Sequence, residues 1–196
     1  MSIPQALPLA SSVRQALPRA SGAVTREFLQ TFVGQSVEDF CENGTDGNAT
    51  GVGKFGRKGD TANHCAHFVS HALGFRVGKL CSVMSSKGSR NPASGRSLVV
   101  SDLFNACPSR GPWSEKPKDL TCCMIFAVIA NGASEEGGKW VMSNVQNKHV
   151  GIFLSGECYN YHNRTHEGVA VDGPEFFARV YGPNTKAFYG TFPLVA

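Results

Sequence analysis

The sequence predicts an α+β domain in which a cysteine-bearing helix packs on a central antiparallel β-sheet. Three observations carry this. Cys65, Phe68, Val69, Ala72 and Leu73 recur at i, i+3, i+4, i+7 and i+8, the apolar stripe of a core-facing helix. Strand-like runs follow at Thr121–Ala130, Lys148–Leu154, Glu157–Asn163, Gly168–Asp172 and Ala187–Leu194, and a helix followed by runs of strands suits helix-on-sheet packing. The chain has 196 residues, 41% of them hydrophobic, enough for one domain with a substantial core.

Residues 1–24 read as a flexible N-terminal tail, punctuated by Pro4, Pro8 and Pro18, and residues 25–196 as a single domain. An amphipathic helix is predicted through Phe28, Leu29, Phe32, Val33, Val37, Phe40 and Cys41, with Gly34 weakening its middle. Asp60, Thr61 and Asn63 are competent N-caps for the helix at Cys65, and Gly74 suits the left-handed position that ends it. The stretch from Ser82 to Pro117 is rich in Ser, Gly and Pro, and Phe176–Tyr181 is ambiguous between short helix and strand.

Strand pairing then points to a site. A two-residue hairpin with Ser155-Gly156 at its tip opposes residues whose numbers sum to 311, which sets His149 against His162 and Gly151 against Asn160. Opposed residues share a face with Cβ atoms roughly 4.5–5.5 Å apart. Gly151 leaves a gap beside His149 through which the helix carrying Cys65 can approach. A cysteine in the first turn of a helix is favoured as thiolate by unpaired N–H groups and the macrodipole. Cys65, His149 and His162 therefore form a candidate nucleophile, base and orienting group for attack on a carbonyl, with the Cys65 backbone N–H as first oxyanion donor. Asn160 is the alternative orienting residue and His166 a weaker one. The blander readings are a small buried core cysteine and two unrelated strand histidines.

Asn63-x-Cys65-x-x-Phe68-Val69, then Lys148-His149-Val150-Gly151-Ile152-Phe153-Leu154, then a histidine about a dozen residues on, resemble the papain-like cell-wall peptidases of the NlpC group. The resemblance spans about Asp60 to Asp172. It implies a papain-like fold, and a cysteine peptidase or amidase with a Cys65-His149-His162 triad, cutting an amide in peptidoglycan stem peptides of the D-glutamate–diaminopimelate type. It implies no cofactor and no metal, and leaves substrate-binding residues unassigned. Two departures stand out: His64 precedes the cysteine where the family has Asp or Asn, and the span to His149 is long, which against the family implies an insertion at Ser82–Pro117 that shapes the substrate groove. A small cell-wall hydrolase of this kind also looks like an antibacterial effector or toxin, exported to a target cell's periplasm and paired with a cognate immunity protein.

Composition narrows the partners. The net charge of +4 is modest, and its one basic run, Lys54-Phe55-Gly56-Arg57-Lys58, carries no aromatic-basic pattern for nucleic acid. No stretch has the length of a membrane span or the layout of a Sec signal peptide, so cytoplasmic synthesis with retention, or export without a cleavable signal, is expected. Seven cysteines fit a reducing compartment, although setting Cys65 aside leaves six that disulfides could pair. Two further readings stay open. Asn63-His64-Cys65-Ala66-His67-Phe68-Val69 also resembles a string of the lecithin:retinol acyltransferase type, implying a lipid acyltransferase or thioesterase. Alternatively His64, Cys65, His67 and His71 serve a non-enzymatic metal-binding module, since His67 and His71 stand four apart on a helix.

Overall fold

The computed structural model describes residues 24–41, 64–84, 95–162 and 168–193. The N-terminal tail up to residue 23, the basic pentad at Lys54–Lys58, the caps Asp60, Thr61 and Asn63, and His166 lie outside the described residues.

Where one early helix is expected, the chain makes two: α1 (Arg26–Gln30) and α2 (Val37–Phe40). Gly34 separates them with φ of 80°, a left-handed value that interrupts the helix without strain. The freed backbone is reused at the sheet edge, where Gly34 N–H donates to Val169 O at 2.8 Å and Val169 N–H donates to Gln35 O at 3.0 Å. Helix α3 (Cys65–Leu73) begins and ends where its stripe predicts, with Gly74 at φ 76° closing it. It differs from an ordinary amphipathic helix in being buried all round, polar side included.

The main sheet has six strands in the order β1-β8-β2-β5-β6-β7, every neighbouring pair antiparallel. Its members are β1 (Arg110–Pro112), β2 (Cys122–Ile129), β5 (Lys148–Leu154), β6 (Glu157–His162), β7 (Gly168–Asp172) and β8 (Thr185–Gly190). A separate hairpin, β3 (Ala133–Glu136) and β4 (Lys139–Met142), has no counterpart in the sequence reading. The Ser82–Pro117 stretch holds α4 (Val100–Ala106) and β1, the edge strand on β8. The ambiguous run at Phe176 begins as α5 (Pro174–Phe177). At the β5–β6 turn Ser155 and Gly156 have φ of 48° and 100°, the pair of positive values a tight two-residue hairpin requires. The register is the expected one, Gly151 against Asn160 and Phe153 against Cys158.

Alternation along the strands gives the sheet two buried faces. Phe126, Val128, Val150, Ile152, Tyr159, Tyr161 and Phe188 pack with α3 and α4. Cys123, Ile125, Ala127, Phe153, Cys158 and Tyr189 pack with Phe177 of α5. The gap at Gly151 is filled from this second side: a Cβ there would stand 2.7 Å from Phe177 Cζ. Phe177, not the helix carrying Cys65, is therefore what the glycine admits. The architecture is α+β with helices on an antiparallel sheet, and among the described residues no nucleophile elbow or papain-specific arrangement is shown. No helix among the described residues is long and apolar enough to cross a membrane.

Candidate metal centre

Helix α3 carries a second stripe, His64, His67 and His71, which on a surface helix would face water. Here the three are 4%, 1% and 6% exposed. Buried imidazoles need partners, because a polar nitrogen removed from water without one is costly. His67 and His71, one turn apart, point their Nε2 atoms at each other across 3.1 Å. Two thiols complete the group. Cys41 caps α2, its N–H bonded to Val37 O, and Cys81 opens the 3-10 turn Cys81–Met84 beyond α3. Their sulfurs are 3.9 Å apart, and Cys81 Sγ stands 4.0 Å from His71 Nε2.

One donor atom from each of Cys41, His67, His71 and Cys81 thus lies within 4.8 Å of every other, and all four residues are buried. A tetrahedral zinc ion with Zn–N of about 2.0 Å and Zn–S of about 2.3 Å needs edges of about 3.3 Å for N–N, 3.8 Å for S–S and 3.5 Å for N–S. The three observed separations fall within about half an ångström of those edges.

The electrostatics suit a cation. Burial pushes the His67 pKa down to about 4 and that of His71 to about 3, so both rings are neutral and keep a lone pair for coordination. Contact with the Cys41 thiol, with a further contribution from His67, holds the Cys81 thiol well below its ordinary pKa despite the opposing effect of burial. Two thiolates and two neutral imidazoles would neutralise a divalent ion, leaving no net charge in the core. Around the donors, the Phe40 ring packs on both His67 and His71 at centroid distances of 6.1 and 5.5 Å. The Arg96 backbone N–H donates to Cys81 Sγ at 3.2 Å, orienting that sulfur. His67 Nδ1 is buried without a hydrogen-bond partner, while its Nε2 stands among the donors.

The residues expected to form a triad are placed differently. Cys65 is fully buried in the cluster that holds Val150, Ile152, Tyr159 and Tyr161. Burial raises its pKa to about 12, outweighing the backbone amides of Val150, Ala66 and Cys65 itself, so the group is a thiol near neutral pH. His149 packs against Phe176 and Phe177, and its Nε2 meets Asn160 Oδ1 at 2.7 Å. Asn160 Nδ2 donates to Asp172 Oδ2 at 2.8 Å, which assigns the amide orientation and makes His149 Nε2 the donor to Oδ1. His162 Nε2 bonds the same Asp172 oxygen at 2.6 Å and stacks on Phe176. The structure thus joins His149, Asn160, Asp172 and His162 in one chain, with His149 held by the amide of Asn160.

The chain matches no known family model, no curated protein and no solved structure. The resemblance to NlpC-type peptidases is accordingly corrected. No match supports it, and the convergent chemistry lies in a Cys2His2 cluster suited to coordinating a metal, not in a cysteine hydrolase site. Peptidase, amidase and hydrolase activity, and with them the effector reading, fall for that reason. The acyltransferase alternative would use the same buried thiol, and no match supports it. The metal-binding alternative is the nearer one, with its ligand set changed: His67 and His71 remain, whereas Cys41 and Cys81 stand where His64 and Cys65 were expected. The two cysteines escape sequence reasoning because they arrive singly, 26 residues before His67 and 10 after His71, and not as a CxxC pair. A signal did exist. A polar stripe on a helix whose other face is wholly apolar, flanked on both sides by lone cysteines, is a helix that needs something to bind its histidines.

Proposed function

We propose that this protein is a metal-binding protein whose Cys41, His67, His71 and Cys81 hold one zinc ion in a structural centre. The observation that carries this is the convergence of four buried donors to within 4.8 Å of one another. The donor set selects the ion: two thiolates with two imidazoles in a tetrahedral array suit zinc, whereas calcium and magnesium take oxygen ligands. Four protein donors leave no position for water or substrate, so the centre is of the closed, structural kind. Its place in the fold agrees. Zinc there would tie the end of α2, two turns of α3 and the segment after α3 to a single point, holding together parts of the chain that meet only in the folded state.

Metal analysis of the full chain purified without chelator tests the proposal, together with the spectrum of a cobalt-exchanged sample. One zinc per chain is expected, and cobalt should show tetrahedral d–d bands with thiolate charge transfer. Cys81→Ser and His67→Ala should each lower zinc affinity about a hundredfold or more. A chain that takes up neither metal stoichiometrically, or that binds equally well without those ligands, overturns it.

A further inference from the structure

We infer that the proposed zinc centre is also a thiol redox switch, in which oxidation joins Cys41 to Cys81 and expels the metal. The inference rests on the zinc reading and adds a regulation to it. Its basis is the Cys41–Cys81 contact. The two sulfurs stand 3.9 Å apart, and a disulfide of about 2.05 Å requires them to close by roughly 2 Å. Both residues sit at element boundaries, Cys41 at the C-cap of α2 in extended conformation and Cys81 at the start of a 3-10 turn, where backbone torsions can absorb such a shift without unravelling a helix.

Selectivity follows from the thiols away from the centre. Burial pushes Cys107 and Cys123 up to about 12 and Cys122 up to about 11, and raises Cys158 as well, so each stays protonated and a poor nucleophile. Cys41 and Cys81 are the pair for which a thiol–thiol contact is seen among the described residues.

The chemistry balances with hydrogen peroxide as oxidant. One zinc-bound thiolate attacks a peroxide oxygen, the O–O bond breaks, and a sulfenic acid forms while the departing hydroxide takes a proton to become water. The other thiolate attacks the sulfenic sulfur, forming the S–S bond and releasing a second hydroxide, again protonated to water. The two sulfurs lose two electrons in total and the peroxide gains them, while zinc stays divalent. With both thiolates consumed only two imidazoles remain, too few to retain the ion.

The disulfide then does part of what the metal did. It links positions 40 residues apart and closes a loop around α3, so the segments before and after the helix stay joined when the ion leaves. A thiol reductant with fresh zinc would restore the original state.

The experiment treats the zinc-loaded full chain with hydrogen peroxide and follows zinc release with a colorimetric chelator, intact mass and disulfide mapping. Expected are one zinc released per disulfide formed, a mass loss of two hydrogens, a Cys41–Cys81 linkage, and recovery on adding dithiothreitol and zinc. Cys122→Ser should leave release unchanged. Zinc retained under peroxide, or a linkage mapped elsewhere, overturns the switch and leaves the zinc centre standing. A chain that never holds zinc removes both.

Discussion

Two polar groups in this molecule are each built on a pair of histidines and differ in how their polar atoms are arranged. On the α5 side of the sheet, His149, Asn160, Asp172 and His162 form a closed chain. His149 Nε2–H donates to the Asn160 carbonyl, the Asn160 amide donates to Asp172, and His162 Nε2 donates to the same carboxylate. Donors meet acceptors at every step, so the group is complete as it stands. On α3, two imidazole nitrogens face each other at 3.1 Å, where one at most can carry the proton, and two sulfurs crowd the same point. The four donor atoms come from separate segments and converge on one point, a compact cluster and not an extended chain. Histidines in a folded core are therefore read by how their partners are arranged: a hydrogen-bond chain that closes suits a scaffold, and ligand atoms that converge on one point suit a cation.

Acid gives the largest effect by which the comparison can be broken. Burial is the main cause that pushes the His149 pKa down, to about 4 from an ordinary 6.5, against a smaller opposing effect of the Asn160 hydrogen bond. Above the unfolded value both states are neutral and the stabilisation is whole. As pH falls below it, the unfolded chain takes up a proton that folded His149 refuses, and stability drains away until the folded pKa is reached. The total is about 3 kcal/mol, of which about 2 should be gone by about pH 5. Urea unfolding of wild type and His149→Gln, both in excess zinc, checks this. The wild-type curve should fall more steeply with acid by that amount, and parallel curves would show that His149 is not held neutral by its surroundings.

Asn160→Ala is smaller and sharpens the contrast. It removes the amide that links His149 to Asp172 and leaves a buried N–H without its acceptor, for a loss of about 2 kcal/mol. Zinc content should stay at one per chain, because the closed chain and the metal centre share no residue. A variant as stable as wild type would mean that the chain of hydrogen bonds contributes nothing to the fold. Loss of zinc would mean that the two groups are coupled.

Much of the fold was legible because local periodicity and turn chemistry determine it. The stripe Cys65, Phe68, Val69, Ala72 and Leu73 with Gly74 located α3, and Ser155-Gly156 fixed the β5–β6 register to the residue. The early helix was legible only as far as Gly34, because the hydrogen bonds to Val169 that reward a break there come from a strand more than a hundred residues away. The short strand β1 escaped for the same reason: Arg110–Pro112 has no pattern of its own and is a strand because β8 offers it an edge. The site was the least legible part. His67 and His71 are a local pair and were visible, whereas Cys41 and Cys81 reach them only through tertiary packing. Which face of a strand a helix covers is likewise decided by the whole core, and Gly151 proved to admit Phe177.

Cys65 offers the smallest effect and the most direct discrimination between the two ligand sets. It adjoins the histidine stripe and was itself counted among the donors, yet its side chain lies in the apolar cluster with Val150 and Tyr159 and is not part of the Cys41, His67, His71, Cys81 group. Replacing it with alanine removes one buried sulfur and leaves a small void, a loss of about 1 kcal/mol. Zinc stoichiometry and affinity should be unchanged. Because burial holds the thiol pKa at about 12, a thiol-directed probe at neutral pH should react with Cys65 only upon unfolding, in the zinc-loaded protein and after oxidation alike. Loss of zinc in Cys65→Ala would return that sulfur to the ligand set. Rapid labelling of native Cys65 would show that the pocket around it opens to solvent, and the division between a metal-binding face of α3 and a purely apolar one would have to be redrawn.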